Sequence, residues 1–157
     1  MDYFQGVVEK YLRADRAMFV NPEHLVQLVH GQKMPTKGTS WIIDLLAVNF
    51  REHKVYLCEV TYSKSQAALL KRLSELSQNW TDVCKALRRD AHIPLEWPIL
   101  TWAFVPETFL PKFIPKLKAA QLSPKITTLE MTLPWRHCTW NRCDEDDKPE
   151  IIPSEMR

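Results

Sequence analysis

The chain has 157 residues, of which 45% are hydrophobic and 25% are charged. This size and balance suit one globular domain with its own core and exclude a globally disordered chain. No apolar run approaches the roughly 20 residues that a membrane-spanning helix needs, so we expect no membrane association. The start lacks the basic flank and apolar block of a secretory signal, and the cysteines show no disulfide spacing, which predicts a cytoplasmic protein.

The net charge of +2 is unevenly distributed along the sequence. Residues 1–143 carry 19 basic and 13 acidic side chains, a net +6, whereas residues 144–157 are acidic. Between Thr108 and Leu129 there are four lysines and no acid. Such a positive surface suits a polyanion, although it is also common on ordinary solvated helices.

Apolar periodicity predicts a first helix over residues 3–19. Residues 24–30 fit either a short strand or a helical turn, and residues 31–39 have the composition of a loop. Two β-rich runs follow, over residues 40–50 and 54–62. Because only three polar residues join them, we expect an antiparallel hairpin.

The second half of the chain alternates helices and strands. The pattern predicts a long amphipathic helix over residues 64–91, a buried strand over 97–106, a ragged helix over 109–122 and a last strand over 125–134. Strand–helix–strand passages indicate parallel pairing. We therefore predict an α/β fold with a mixed central sheet of about four to five strands flanked by helices.

The domain is expected to cover residues 1–134, with a polar, acidic C-terminal tail over residues 135–157. Cys138 and Cys143 in this tail fit either a reduced pair or a zinc site, although zinc sites usually have a second ligand pair, which this sequence does not show.

Two acids stand inside the β-rich hairpin, Asp44 on its first strand and Glu59 on its second. A carboxylate there is costly to bury without a partner. Acids on neighbouring strands can share a hard divalent cation such as Mg²⁺, which prefers oxygen ligands. For Asp44 the alternative is an ion pair with a lysine or arginine, or a cap on the adjoining loop.

This order of elements resembles the PD-(D/E)XK nuclease superfamily, whose core is restriction-endonuclease-like, across roughly residues 3–134. The resemblance implies that Asp44 and Glu59 bind Mg²⁺ or Mn²⁺, which activates water for attack on a phosphodiester. Glu9 is similar to a helix-borne glutamate of some branches and is a candidate third metal ligand. Its alternative is a surface ion pair with Arg13.

The sequence departs from the family pattern at the lysine of the second half-motif, where Thr61 stands. A hydroxyl cannot supply positive charge, so the resemblance leaves Thr61 and Lys64 as the polar groups around the water. Lys64, just past the strand, would have to reach back, and its alternative is a solvated lysine at a helix start. Gln66 is similar to a glutamine of exonuclease-like branches.

These residues support three functional hypotheses. The leading one is a Mg²⁺-dependent endonuclease that hydrolyses DNA, with a homodimer expected if both strands are cut. The second is a nuclease-like fold that has lost catalysis and binds nucleic acid or a protein, which the missing lysine favours. The third is an interaction module of a mobile element or a regulatory complex.

Overall fold

The computed structural model describes residues 2–31, 34 and 36–137. Five strands and five α-helices follow one another along this part of the chain: α1 (Tyr3–Arg13), β1 (Met18–Gln27), β2 (Ser40–Asn49), β3 (Lys54–Val60), α2 (Ala67–Gln78), α3 (Trp80–Ala91), β4 (Ile99–Val105), α4 (Leu110–Ala119), β5 (Lys125–Thr128) and α5 (Pro134–His137). Two short 3₁₀ turns, Glu107–Phe109 and Leu129–Thr132, precede α4 and follow β5.

The strands form one sheet in the order β1-β2-β3-β4-β5. β1, β2 and β3 pair antiparallel, whereas β3, β4 and β5 pair parallel. The parallel pairs are connected through α2 and α3 and through α4, as crossover connections require. The predicted α/β fold with a mixed, helix-flanked sheet is therefore confirmed.

Helices cover both faces of the sheet. On one face α1 packs through Val8, Tyr11 and Leu12 against the side chains of β2, β3 and β4. On the other face α2, α3 and α4 bury two clusters, one centred on Leu57 and Val83 and one on Ala103 and Phe113. The core is thus split by the sheet into two layers.

The first helix is shorter than predicted, and the ambiguous segment after it is a strand. α1 ends at Arg13, and β1 already begins at Met18. The buried Asp15 explains the early end, because its carboxylate accepts a hydrogen bond from the backbone of Ala17 (3.0 Å) and closes a turn between the two elements.

The long helix predicted over residues 64–91 is two helices that meet at Asn79. The Asn79 side chain donates to the carbonyl of Glu75 (2.9 Å), so it competes with the regular helical hydrogen bonds at this position. The apolar stripe continues across the break, since Leu76 before it and Val83 after it lie in the same cluster, whereas Leu73 lies in the other. Periodicity alone does not detect such a break.

At the C-terminal end β5 has four residues instead of the predicted ten, because a 3₁₀ segment follows it directly. The Thr132 hydroxyl closes this segment by donating a hydrogen bond to the carbonyl of Leu129 (2.7 Å). The predictions for Cys138, Cys143 and most of the 135–157 tail lie outside the described residues. Within the described ranges no helix is both long and apolar enough to cross a membrane.

Candidate active site

The acid pair lies where β2 and β3 separate. Their ladder runs from Asn49 and Lys54 to the last pair, Leu45 and Cys58. Asp44 and Glu59 occupy the next position on each strand, at the carboxyl end of β3. In open α/β sheets, ligands bind at the carboxyl ends of the parallel strands, so these acids occupy the end at which a site is expected.

Asp44 accepts a backbone hydrogen bond from β3 beyond the point where the β2–β3 ladder ends. Its Oδ2 accepts the backbone N–H of Val60 (2.8 Å), and its Oδ1 accepts Nε2 of Gln5 (2.9 Å). The same Gln5 side chain accepts the backbone N–H of Asp2 (3.0 Å) through Oε1, as part of the α1 capping box. The start of α1 and the end of β3 are therefore both attached to this carboxylate.

The alternation of side chains along β2 changes at Asp44. Leu45 and Ala47 pack in the α1 layer, as alternation requires of residues two apart. Ile43 would follow them in a regular strand, but it packs in the opposite layer together with Leu46. The strand thus reverses its faces at Asp44, which explains how this carboxylate is reached from α1 and from α2.

Glu59 faces α2 and is almost completely buried, with 1% of its surface exposed. Its partner is Arg72, near the middle of α2. The same nitrogen of Arg72, Nη2, also lies 2.8 Å from Oδ1 of Asp44. Because one nitrogen contacts both carboxylates, the two acids converge on a common point.

The charges at this point do not balance, since two carboxylates share one guanidinium. Oε1 of Glu59 is buried and accepts no hydrogen bond from any described residue, and Nε of Arg72 is likewise without a partner. A buried polar atom without a partner typically costs about 1–3 kcal/mol. This cost, together with a surplus negative charge, is expected where a further ligand belongs in the structure.

A cavity of about 360 Å³ on the α2 side of the sheet is lined by Glu59 but, among the described residues, not by Asp44. Its walls also include Arg72, apolar side chains of β2 and α2, and Lys37 from the loop before β2. A larger cavity of about 660 Å³ lies at the other end of the sheet, beside Lys54 and Lys125. There, burial and the neighbouring Glu52 raise the pKa of Tyr56 to about 12, and Glu52 is the one acid among the described residues that line this cavity.

The other predicted site residues of the second half-motif lie between the end of β3 and the start of α2. Thr61 directly follows β3, and its hydroxyl accepts the backbone N–H of Ser63 (3.2 Å). Lys64 is exposed in the loop between β3 and α2. Gln66 ends this loop with a left-handed backbone (φ 52°) and a buried amide that has no described partner.

Glu9 does not join the acid pair. Its carboxylate pairs with Arg13 (2.6 Å) one turn further along α1, as the alternative interpretation of this residue predicted. Among residues 2–31, 34 and 36–137, no three His, Cys, Asp or Glu side chains gather as a metal site would require. Gln5, one turn before Glu9, is instead the α1 residue that reaches Asp44.

Gln5 and Arg72 were not predicted from the sequence. Both lie on amphipathic helices, where polar residues at helical spacing are usual and carry no individual signal. A hint existed for Arg72, because an ion pair with a lysine or arginine was the alternative interpretation of Asp44. The sequence did not indicate which of the many basic residues would supply it.

The fold has a distant neighbour among solved structures. The fold is similar to the crystal structure of an XisH family protein from Nostoc punctiforme PCC 73102, with 15% sequence identity and a TM-score of 0.46, over 84% of this chain and 95% of that one. No model of a known protein family matches the sequence, and a search of curated proteins gives no match. Function therefore has to be inferred from the residues of the site.

Proposed function

We propose that this protein is a metal-dependent nuclease that hydrolyses phosphodiester bonds in DNA. The observation that supports the proposal best is the convergence of Asp44 and Glu59 on one nitrogen of Arg72 at the carboxyl end of β3. Two buried acids at such an edge, one of which lines an open cavity, form the type of site that phosphodiester hydrolysis requires.

The donor atoms fit Mg²⁺ or Mn²⁺. Mg²⁺ is commonly bound through one or two carboxylates, with water and substrate phosphates completing its shell. Asp44 and Glu59 would supply the carboxylates, and Oε1 of Glu59 is an oxygen without another partner. An ion held by these two carboxylates would supply Lewis-acid activation of water and stabilisation of the charge that develops on the phosphate.

Arg72 supplies the positive charge that Thr61 cannot provide. Its side chain is 39% exposed, so the guanidinium is accessible to an anionic substrate while it touches both acids. Arginine binds phosphate oxygens through its planar array of donors. We therefore assign the role of the missing half-motif lysine to Arg72 rather than to Lys64, and Thr61 supplies a neutral hydroxyl at the edge of the site.

The test is cleavage of supercoiled plasmid in Mg²⁺ or Mn²⁺ by the wild-type protein and by Asp44→Asn and Glu59→Gln. We expect nicking that EDTA abolishes and that each substitution lowers by at least about 100-fold, because each removes a metal ligand. Glu9→Gln is the matched control, since this acid pairs with Arg13, and it should retain activity. Nicking that survives Glu59→Gln would contradict the proposal.

A second candidate function is a nuclease-like fold without catalysis, and Arg72 is the observation that favours it. A guanidinium between two carboxylates replaces part of the charge that a metal ion would bring. In that case the protein binds DNA with a steep dependence on salt but cleaves none in either metal. Cleavage that depends on Glu59 would exclude this candidate.

A further inference from the structure

An exposed aromatic cluster lies where α1 begins and β3 ends. The rings of Phe4 and Tyr62 stack with centroids 4.4 Å apart and planes inclined by 10°. Tyr3 meets Phe4 edge-on at 5.3 Å. Tyr62 and Tyr3 nevertheless remain 61% and 75% exposed. We call Tyr3, Phe4 and Tyr62 the aromatic platform.

The aromatic platform is attached to the acid pair from both sides. Phe4 directly precedes Gln5, which donates a hydrogen bond to Asp44 (2.9 Å). Tyr62 lies two residues after Val60, whose backbone N–H donates to the same carboxylate (2.8 Å). Asp44 therefore fixes the position of both halves of the platform relative to the candidate active site.

The surface next to the platform is basic. Lys64, two residues after Tyr62, is exposed. Nζ of Lys116 donates to the carbonyl of Ser65 (3.2 Å), which places the lysine side of α4 against the same loop. α4 contains three lysines and no acid, and no ion pair joins these lysines to another described residue. An aromatic surface beside unpaired cations is the combination that single-stranded nucleic acid binds.

We propose that the aromatic platform binds an unpaired nucleobase, with the attached phosphates running towards Lys64 and α4. This inference rests on the proposed function, because it names single-stranded nucleic acid as the substrate class of the same site. The base would stack on the exposed side of Tyr62, whose other side is covered by Phe4. In a duplex the base faces are already stacked on their neighbours, so a flat aromatic ring favours single strands and frayed ends.

The structural alternative is that the Phe4–Tyr62 stack only attaches α1 to the end of β3. Both interpretations predict that removal of Tyr62 affects packing, but only the proposal predicts a change in nucleic-acid preference. The decisive measurement is therefore affinity for a single strand against affinity for a duplex, recorded beside the melting temperature.

The experiment measures fluorescence anisotropy of a labelled 15-nucleotide oligothymidine and of a 15-base-pair duplex, in EDTA so that nothing is cleaved. We expect Tyr62→Ala to weaken single-strand binding by about 5- to 100-fold, as loss of one stacked base does. Tyr62→Phe should bind like wild type, and Tyr62→Leu, which keeps apolar packing on Phe4, should bind like Tyr62→Ala. Duplex binding should change less than about twofold.

The matched control is Phe19→Ala, which removes another ring that is 64% exposed and contacts a second aromatic residue, Phe50. It should leave binding of both oligonucleotides unchanged. The same titration with an oligouridine of equal length shows whether the protein prefers DNA or RNA, because stacking alone does not distinguish the two.

Three results would overturn the inference: wild-type affinity in Tyr62→Leu, an equal loss for single strand and duplex, or no binding of oligothymidine at all. Failure of the proposed function has a different signature. Binding that depends on Tyr62 without cleavage in Mg²⁺ or Mn²⁺ would remove the nuclease and leave the aromatic platform. Cleavage that depends on Glu59 but is insensitive to Tyr62 would support the nuclease and contradict the role of the aromatic platform.

Discussion

Two buried acid–arginine arrangements in this molecule have opposite character. Asp15 is 1% exposed and is held by Arg51 through two parallel hydrogen bonds of 2.8 and 2.9 Å. A third hydrogen bond comes from the backbone of Ala17 (3.0 Å). One carboxylate meets one guanidinium, and this bidentate geometry is the strong form of the interaction.

At the candidate active site, by contrast, Asp44 and Glu59 share a single nitrogen of Arg72, and a buried oxygen of Glu59 has no hydrogen-bond partner in the described part of the chain. The charge at the first site is balanced and the charge at the second is not. Burial of an acid is therefore a poor guide to function by itself. The number of charges and the buried atoms without partners distinguish a structural ion pair from a site that awaits a ligand.

The largest expected effect is a difference in stability between two neutralising substitutions. Asp15→Asn should lower the free energy of unfolding by about 2–3 kcal/mol, because it breaks a bidentate interaction of a buried carboxylate with the partly exposed Arg51. Glu59→Gln should lower the free energy of unfolding by less than about 1 kcal/mol, or raise it. The reason is that Arg72 still pairs with Asp44 while a surplus negative charge is removed. Urea unfolding measures both, and equal losses would contradict the distinction.

A smaller effect is expected from divalent metal. Mg²⁺ at about 10 times its dissociation constant should stabilise the wild-type protein by about 1.4 kcal/mol, seen as a higher melting temperature. Arg72→Gln should bind Mg²⁺ about 10-fold more tightly in calorimetry, because a competing cation has left the carboxylates. Asp15→Asn is the control and should respond to Mg²⁺ as wild type does. A response that persists in the Asp44→Asn, Glu59→Gln double variant would refute the assignment.

The smallest effect concerns pH. Burial lowers the pKa of His24 on β1 below its ordinary 6.5, an effect that Asp90 partly opposes. The unfolded chain then binds the proton more readily, so stability is lost as pH falls below about 6.5. His24→Gln should reduce the difference in unfolding free energy between pH 8 and pH 5 by well under about 1 kcal/mol. Unfolding at pH 5 and pH 8 tests it, and an unchanged slope would show that another group is responsible.

The sheet was predictable because its signals are local. Residues 40–50 and 54–62 have the composition and the short link of a hairpin. The two acids on this hairpin could be identified without tertiary information. The break at Asn79 and the short β5 were not predictable, because a side chain–backbone bond and a 3₁₀ turn decide them. Glu9 was assigned to the metal on a resemblance, whereas the structure pairs it with Arg13.

By itself the sequence determined the α/β class, the hairpin and the presence of two costly acids within it, since alternation and composition act over a few residues. Only the tertiary structure decided that β2 reverses its faces at Asp44, that Arg72 meets both acids, and that Phe4 stacks on Tyr62. These contacts join residues that are far apart in the chain. Their formation depends on how two helices pack on the sheet, and no local pattern encodes that geometry.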